Sequence, residues 1–187
     1  MENTQYRFII AGSLVLVILG VGAWWYTSTP ETYPFELASG ESVSSWSFQG
    51  AYTGNPELEA KAETEIDRLE GLFGQEGYTD YELDVSIANQ YNLLGDGKKE
   101  YDYLMRALAI DSEKTGLAWH NVGKLLERLG AIQTARIAFD AMVKAQPAIQ
   151  YQTERLEFLR AHMPEDTEAI AKAEAQLQGT AGEFILE

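Results

Sequence analysis

The side chains that most often carry chemistry are scarce in this sequence. Cysteine is absent and histidine occurs only at His120 and His162, so neither a thiolate site nor a pair of histidines at metal-binding spacing can be assembled. The stretch Gly95-Asp96-Gly97-Lys98-Lys99 invites comparison with a phosphate-binding loop, in which glycine-rich backbone cradles the anion and Ser or Thr follows the Gly-Lys pair. Asn92 stands where the first glycine is needed and Lys99 where the hydroxyl is needed, which leaves a turn between helices as the reading. Carboxylates are plentiful, yet Glu63, Glu65, Asp67 and Glu70 follow the spacing of a solvated helix surface. No nucleophile, base and orienting group recur at a recognisable spacing. The expectation is therefore a protein that is not an enzyme, with no catalytic residues, no cofactor and no metal.

Charge narrows the partners further. The 187 residues carry 14 Lys and Arg against 29 Asp and Glu, a formal charge of −15. Such a surface repels nucleic-acid phosphates. No nucleic acid is expected as a partner, and a protein or peptide is.

Residues 8–26, FIIAGSLVLVILGVGAWWY, contain no charge. As a helix they would be roughly 28 Å long, close to the thickness of a bilayer's hydrocarbon core. Trp24, Trp25 and Tyr26 end the run where amphipathic rings favour the head-group level. Arg7 precedes it, whereas the first basic residue after it is Lys61, beyond Glu31, Glu36 and Glu41. The positive-inside rule then puts residues 1–7 in the cytoplasm and the rest outside, a single-pass protein of the cell membrane. The alternative is a signal peptide cleaved after Ala23, which would release a soluble secreted or periplasmic peptide-binding chaperone.

Residues 27–54 mix Ser, Thr, Gly and Pro with scattered aromatics and show no helical period, as a membrane-proximal spacer would. Within it Val43, Trp46, Phe48 and Tyr52 are costly to expose and suit an extended segment laid on a neighbouring domain. From Asn55-Pro56 onward the pattern is helical to residue 178, followed by a tail, 179–187. Leu58, Ala62, Ile66, Leu69 and Phe73 form the first stripe, and Leu83, Ile87, Tyr91 and Leu94 the second, opened by Thr79 and Glu82 as a capping box. Five further helices follow, bounded by Gly97, Gly130, Pro147 and Pro164. The chain should be all-α.

The middle helices repeat. YNLLGDGKKEYDYLMRALAID and GKLLERLGAIQTARIAFDAMVKAQP share the order helix, Leu-Gly, turn, helix, with Gly95 and Gly130 at equivalent places. Trp119, Val122-Gly123, Leu126, Gly130, Ala135, Phe139 and Pro147 follow the tetratricopeptide (TPR) pattern, and the chain resembles that family over roughly residues 80–178. The earlier copy departs from it at Asp84, where Trp would stand, and at Glu100, where a small residue would. The resemblance implies a right-handed solenoid of α-α helical hairpins behind one N-terminal transmembrane helix, and a bacterial accessory subunit or scaffold of an envelope, secretion or pilus-type assembly. It also implies a groove that takes a peptide or a partner helix. Its candidate residues are Asn89, Asn92, His120, Lys124 and Arg128.

Overall fold

The computed structural model of the chain describes residues 35–184, with side chains to residue 180. The apolar stretch 8–26 lies outside the described residues, as do its flank 1–7 and residues 27–34. Among the described residues no helix is long and apolar enough to cross a membrane. Their architecture is all-helical: α1 (Pro56–Glu70), α2 (Asp80–Leu94), α3 (Gly97–Ile110), α4 (Leu117–Arg128), α5 (Ile132–Ala145), α6 (Ile149–His162) and α7 (Thr167–Phe184).

Local chemistry sets the boundaries. Asn55 accepts a hydrogen bond from the Leu58 amide with Pro56 at the first helical position, and Thr79 and Glu82 form a reciprocal capping box at the start of α2. Gly95 and Gly130 close α2 and α4 with φ of 79° and 80°. At both, the glycine amide and the one after it bond back into the helix, to Asn92 and Tyr91 in the first case and to Glu127 and Leu126 in the second. This is the left-handed ending that glycine favours. The helices that follow these turns, and the one after Asp166, begin at residues 97, 132 and 167, thirty-five residues apart each time. The final helix runs on to Phe184, past the expected end at Gln178. No proline interrupts it, and Gln152 of α6 holds Thr180 through a 2.9 Å hydrogen bond.

Each helix packs chiefly on its neighbours along the chain. Leu104, Leu108, Val122, Leu126, Ala135, Phe139, Met142 and Leu159 form the centre of the main core, and Ile66, Leu69, Leu83 and Ile87 join α1 to α2. Gly123 lies under the Phe139 ring, where a Cβ would stand 2.9 Å from a ring carbon.

The stretch expected to be a spacer is part of this packing from Phe35 onward, within the same compact unit as the helices. Phe35 meets Trp119 edge-to-face at 5.0 Å, and its carbonyl accepts from the Tyr101 hydroxyl at 2.7 Å. Val43 and Trp46 pack on the core, with Trp46 5.1 Å from the Tyr101 ring. The Phe48 and Tyr52 amides donate to the carbonyls of Gly95 and Leu93, and the Gly97 amide donates to the Trp46 carbonyl at 2.8 Å. The two backbones touch because the turn has no side chains in the way: a Cβ on Gly95 would stand 2.1 Å from the Phe48 carbonyl oxygen, and one on Gly97 2.6 Å from that of Trp46. The glycines of Gly95-Asp96-Gly97 thus receive a neighbouring peptide chain.

One residue of this leading segment completes a helix. Asp96 and Asp166 cap α3 and α7 through the amides of Lys99 and Ala169, but the equivalent residue before α5 is Ala131, which offers no side-chain cap. Glu41 takes that role from 90 residues upstream in sequence. Its carboxylate accepts from the Gln133 amide at 2.7 Å, the Thr134 amide at 2.8 Å and the Thr134 hydroxyl, while Thr134 Oγ1 accepts from the Ala38 amide at 2.9 Å. Burial would raise the Glu41 pKa, but the Thr134 hydroxyl and the Gln133 and Thr134 amides outweigh it and hold it below the ordinary carboxylate value. Its stabilising effect is therefore present at neutral pH and is lost as pH falls through that lowered value. Replacement by Ala (Glu41→Ala) is expected to cost about 1–2 kcal/mol in urea unfolding. Ala131→Asp should recover more stability in that background than in the parent, and equal effects in both would show that Glu41 is not the missing cap.

Candidate protein-interaction face

The alternate helices α2, α4 and α6 carry a line of polar side chains that bond to one another across the helix gaps. Asn121 Nδ2 donates to Asn89 Oδ1 at 3.0 Å, joining α4 to α2. His120 Nδ1 is 3.0 Å from Asn121 Oδ1, and its Nε2 is 2.7 Å from the Glu154 carboxylate on α6. That last contact is close but off the hydrogen-bonding direction, so the Glu154 oxygen has no well-aimed donor. The imidazole also stacks on Tyr151 at 6.0 Å between centroids.

One helical turn further along α4, Lys124 Nζ lies 2.6 Å from one oxygen of Glu127, and His162 Nε2 lies 2.8 Å from the other. Burial pushes the Glu127 carboxyl up, but its hydrogen bonds with Lys124 and His162 prevail and lower its pKa.

Of the five residues singled out from the sequence, three lie along this line. Asn89 and Lys124 are exposed and His120 is half-buried. The other two belong to the packing of the leading segment and its turn. Asn92 Nδ2 donates to Glu100 Oε1 at 2.9 Å between α2 and α3, and the Arg128 guanidinium sits 4.4 Å over the Phe48 ring. Sequence reasoning missed Glu127, Tyr151 and Glu154 as members of the line. Glu127 and His162, which meet across α4 and α6, are thirty-five residues apart in the sequence.

Two carboxyls, Asp84 and Glu100, depart furthest from ordinary behaviour, and both lie buried between α2 and α3. Asp84 is 1% exposed. Burial pushes its pKa up to about 6, with Asp80 adding to the rise and Arg106 opposing it. The Arg106 guanidinium is 3.0 Å from one carboxylate oxygen, again off the hydrogen-bonding direction, and lies over the rings of Phe73 and Tyr103. Glu100 is 3% exposed, with one oxygen bonded to Asn92 and the other unpartnered. Burial raises its pKa to about 7 against the opposing effects of Asn92 and Arg128. These groups tie α2 to α3 away from the polar line, and neither faces a nucleophile. Among the described residues no three His, Asp or Glu side chains converge as a metal site would require.

Comparison with models of protein families, with curated proteins and with solved structures returns no match.

A raised carboxyl pKa means that the folded state binds its proton more tightly than the unfolded state. Stability from Glu100 is therefore greatest at acid pH and falls as pH rises from the ordinary value of 4.5 towards about 7. Glu100→Gln keeps the acceptor for Asn92 and removes the charge. The variant should gain stability relative to the parent by on the order of 2 kcal/mol between pH 5 and pH 8, read from paired thermal melts. A constant difference across that range would refute the assignment.

Proposed function

We propose that the chain is a membrane-anchored scaffold of TPR-like helical hairpins, forming a right-handed solenoid and acting as an accessory subunit of an envelope, secretion or pilus-type assembly. It binds a protein or peptide partner on the face of α2, α4 and α6, through Asn89, His120 and Lys124. The observation that carries this reading is the strict thirty-five-residue spacing of α3, α5 and α7, together with the matched left-handed turns at Gly95 and Gly130. A hairpin of that length cannot bury its apolar face alone, so stacked copies share one core and leave a continuous row of alternate helices for a partner. Gly123 beneath Phe139 fits the close helix pairing of such a unit.

The membrane part of the reading rests on residues 8–26, where nineteen uncharged residues end in Trp24-Trp25-Tyr26. An anchor confines the binding face to two dimensions and raises its effective concentration towards partners in the same membrane. The docking of residues 35–54 leaves eight residues, 27–34, between that segment and the helical unit.

Crosslinking of the full-length protein in isolated membranes, read by mass spectrometry, tests both parts. Intact N-terminal mass in the membrane fraction is expected, with a defined set of envelope proteins crosslinked. His120→Ala with Lys124→Glu should remove that set, while Arg128→Ala, whose side chain lies on Phe48, should leave it in place. A mature protein beginning at Trp24 would replace the anchor with a signal peptide, and partners insensitive to the double variant would move the binding face elsewhere.

A further inference from the structure

Five large apolar side chains stand substantially exposed among the described residues: Tyr78, Ile110, Leu117, Ile137 and Ile149. Four of them fall at helix ends. Tyr78 precedes α2, Ile110 is the last residue of α3, and Leu117 and Ile149 are the first residues of α4 and α6. Since successive helices run in alternating directions, the starts of α2, α4 and α6 and the ends of α3 and α5 meet at one rim. A cleft of about 880 Å³ opens there, with Ile110, Leu117, Tyr81 and Tyr151 as its apolar lining.

The cleft is already shaped before anything enters it. The Tyr81 hydroxyl accepts from the Thr115 hydroxyl at 2.6 Å and from the Ala118 amide at 3.1 Å, which fixes its ring across the α2–α4 gap. The Asp111 carboxylate accepts from the amides of Glu113 and Lys114 and holds the α3–α4 loop in a tight turn. Ile110 and Leu117, 54% and 43% exposed, therefore face solvent from a fixed frame. Three carboxylates, Glu82, Asp111 and Glu113, border the cleft, with Lys114 as the one lysine or arginine among its lining residues.

We propose that this rim cleft is a second docking site, for a basic peptide segment of a partner protein that inserts aliphatic or aromatic anchors between Leu117 and Tyr151 and sets Lys or Arg against Glu82 and Glu113. The charge selects this occupant. A second copy of the chain would bring another −15 to an already acidic rim, and anionic lipid or nucleic acid would meet like charge. Apolar anchors surrounded by complementary charge are the arrangement in which a few buried side chains dominate binding. The cleft adjoins the polar face at Tyr151, which stacks on His120, but none of its lining residues touches Lys124.

A random twelve-residue peptide display library, selected against the full-length protein in detergent micelles, tests this directly. Enriched peptides should combine Lys or Arg with Leu, Ile, Phe, Tyr or Trp. Their affinity should fall about tenfold with Leu117→Asp and with Glu113→Lys, and stay unchanged with Lys124→Glu, which touches neither the cleft lining nor Tyr151. Asp at the first position of α4 suits a helix N-terminus, so an unchanged melting temperature is expected for Leu117→Asp. Acidic or uncharged winners, no enrichment, equal binding to Leu117→Asp, or a change of oligomeric state in that variant by sedimentation, which would identify a second copy as the occupant, would each overturn the proposal.

Discussion

A helix that begins inside a packed molecule needs acceptors for the amides of its first turn, and at α5 the chain cannot meet that need locally. The residue before the helix is Ala131, where α3 and α7 have Asp96 and Asp166. Because Ala131 is 1% exposed, water is a poor substitute, and an unmet amide in such a place carries a desolvation cost. Glu41 meets the need, and once its carboxylate is fixed on Gln133 and Thr134 the rest of the leading segment has few choices. Ala38 is tied to Thr134, Phe35 reaches Trp119, and the chain on the other side of Glu41 arrives at the Gly95–Gly97 turn in register to exchange backbone hydrogen bonds with it.

The same docking borders one of the two buried carboxyls of the first hairpin. Glu100 is the fourth residue of α3, in its first turn and next to the turn that receives Trp46 and Phe48, and Arg128 reaches Phe48 from α4. The guanidinium thus supports the leading segment through its contact with the ring and opposes the rise in the Glu100 pKa through its charge. Burying a carboxyl without a full set of donors is unfavourable at neutral pH. Asp84 and Glu100 are accordingly places where the packing of α2 on α3 gives up stability, and Arg106 and Arg128 offset only part of it.

Helix starts and stops were largely legible in the sequence because their signals are local: Asn55-Pro56, the Thr79 and Glu82 box, Gly95 and Gly130. The apolar character of Val43, Trp46 and Phe48 also foretold that the stretch would lie on the helices. What local pattern could not carry was direction. Asn92 and Arg128 share the general side of their helices with Asn89 and His120, but Asn92 turns to a carboxyl buried on the next helix, and Arg128 turns to an aromatic ring eighty residues earlier. The role of Glu41 left only a negative trace, an alanine where the repeat elsewhere has aspartate. The extra turns of α7 were hidden by Gly179, whose low helix propensity is outweighed by the hold of Gln152 on Thr180.

Two sides of the helical unit are thereby put to different use. The leading segment lies on α3, on α5, on the turn between α2 and α3, and on α4 at Trp119 and Arg128, so those surfaces are already covered by the chain itself. On α2, α4 and α6 the polar groups satisfy one another in a line that no segment of the described chain covers. A partner arriving there must exchange those hydrogen bonds for its own, which yields little net affinity but strong discrimination, because any group left without a partner is penalised. Apolar surface would supply the affinity for such a partner, and it is exposed at the rim where Ile110 and Leu117 stand beside Tyr81 and Tyr151. A ligand long enough to pass from the rim over Tyr151 to His120 would draw affinity from the first and specificity from the second, and the stacked Tyr151 and His120 rings are the physical connection between them.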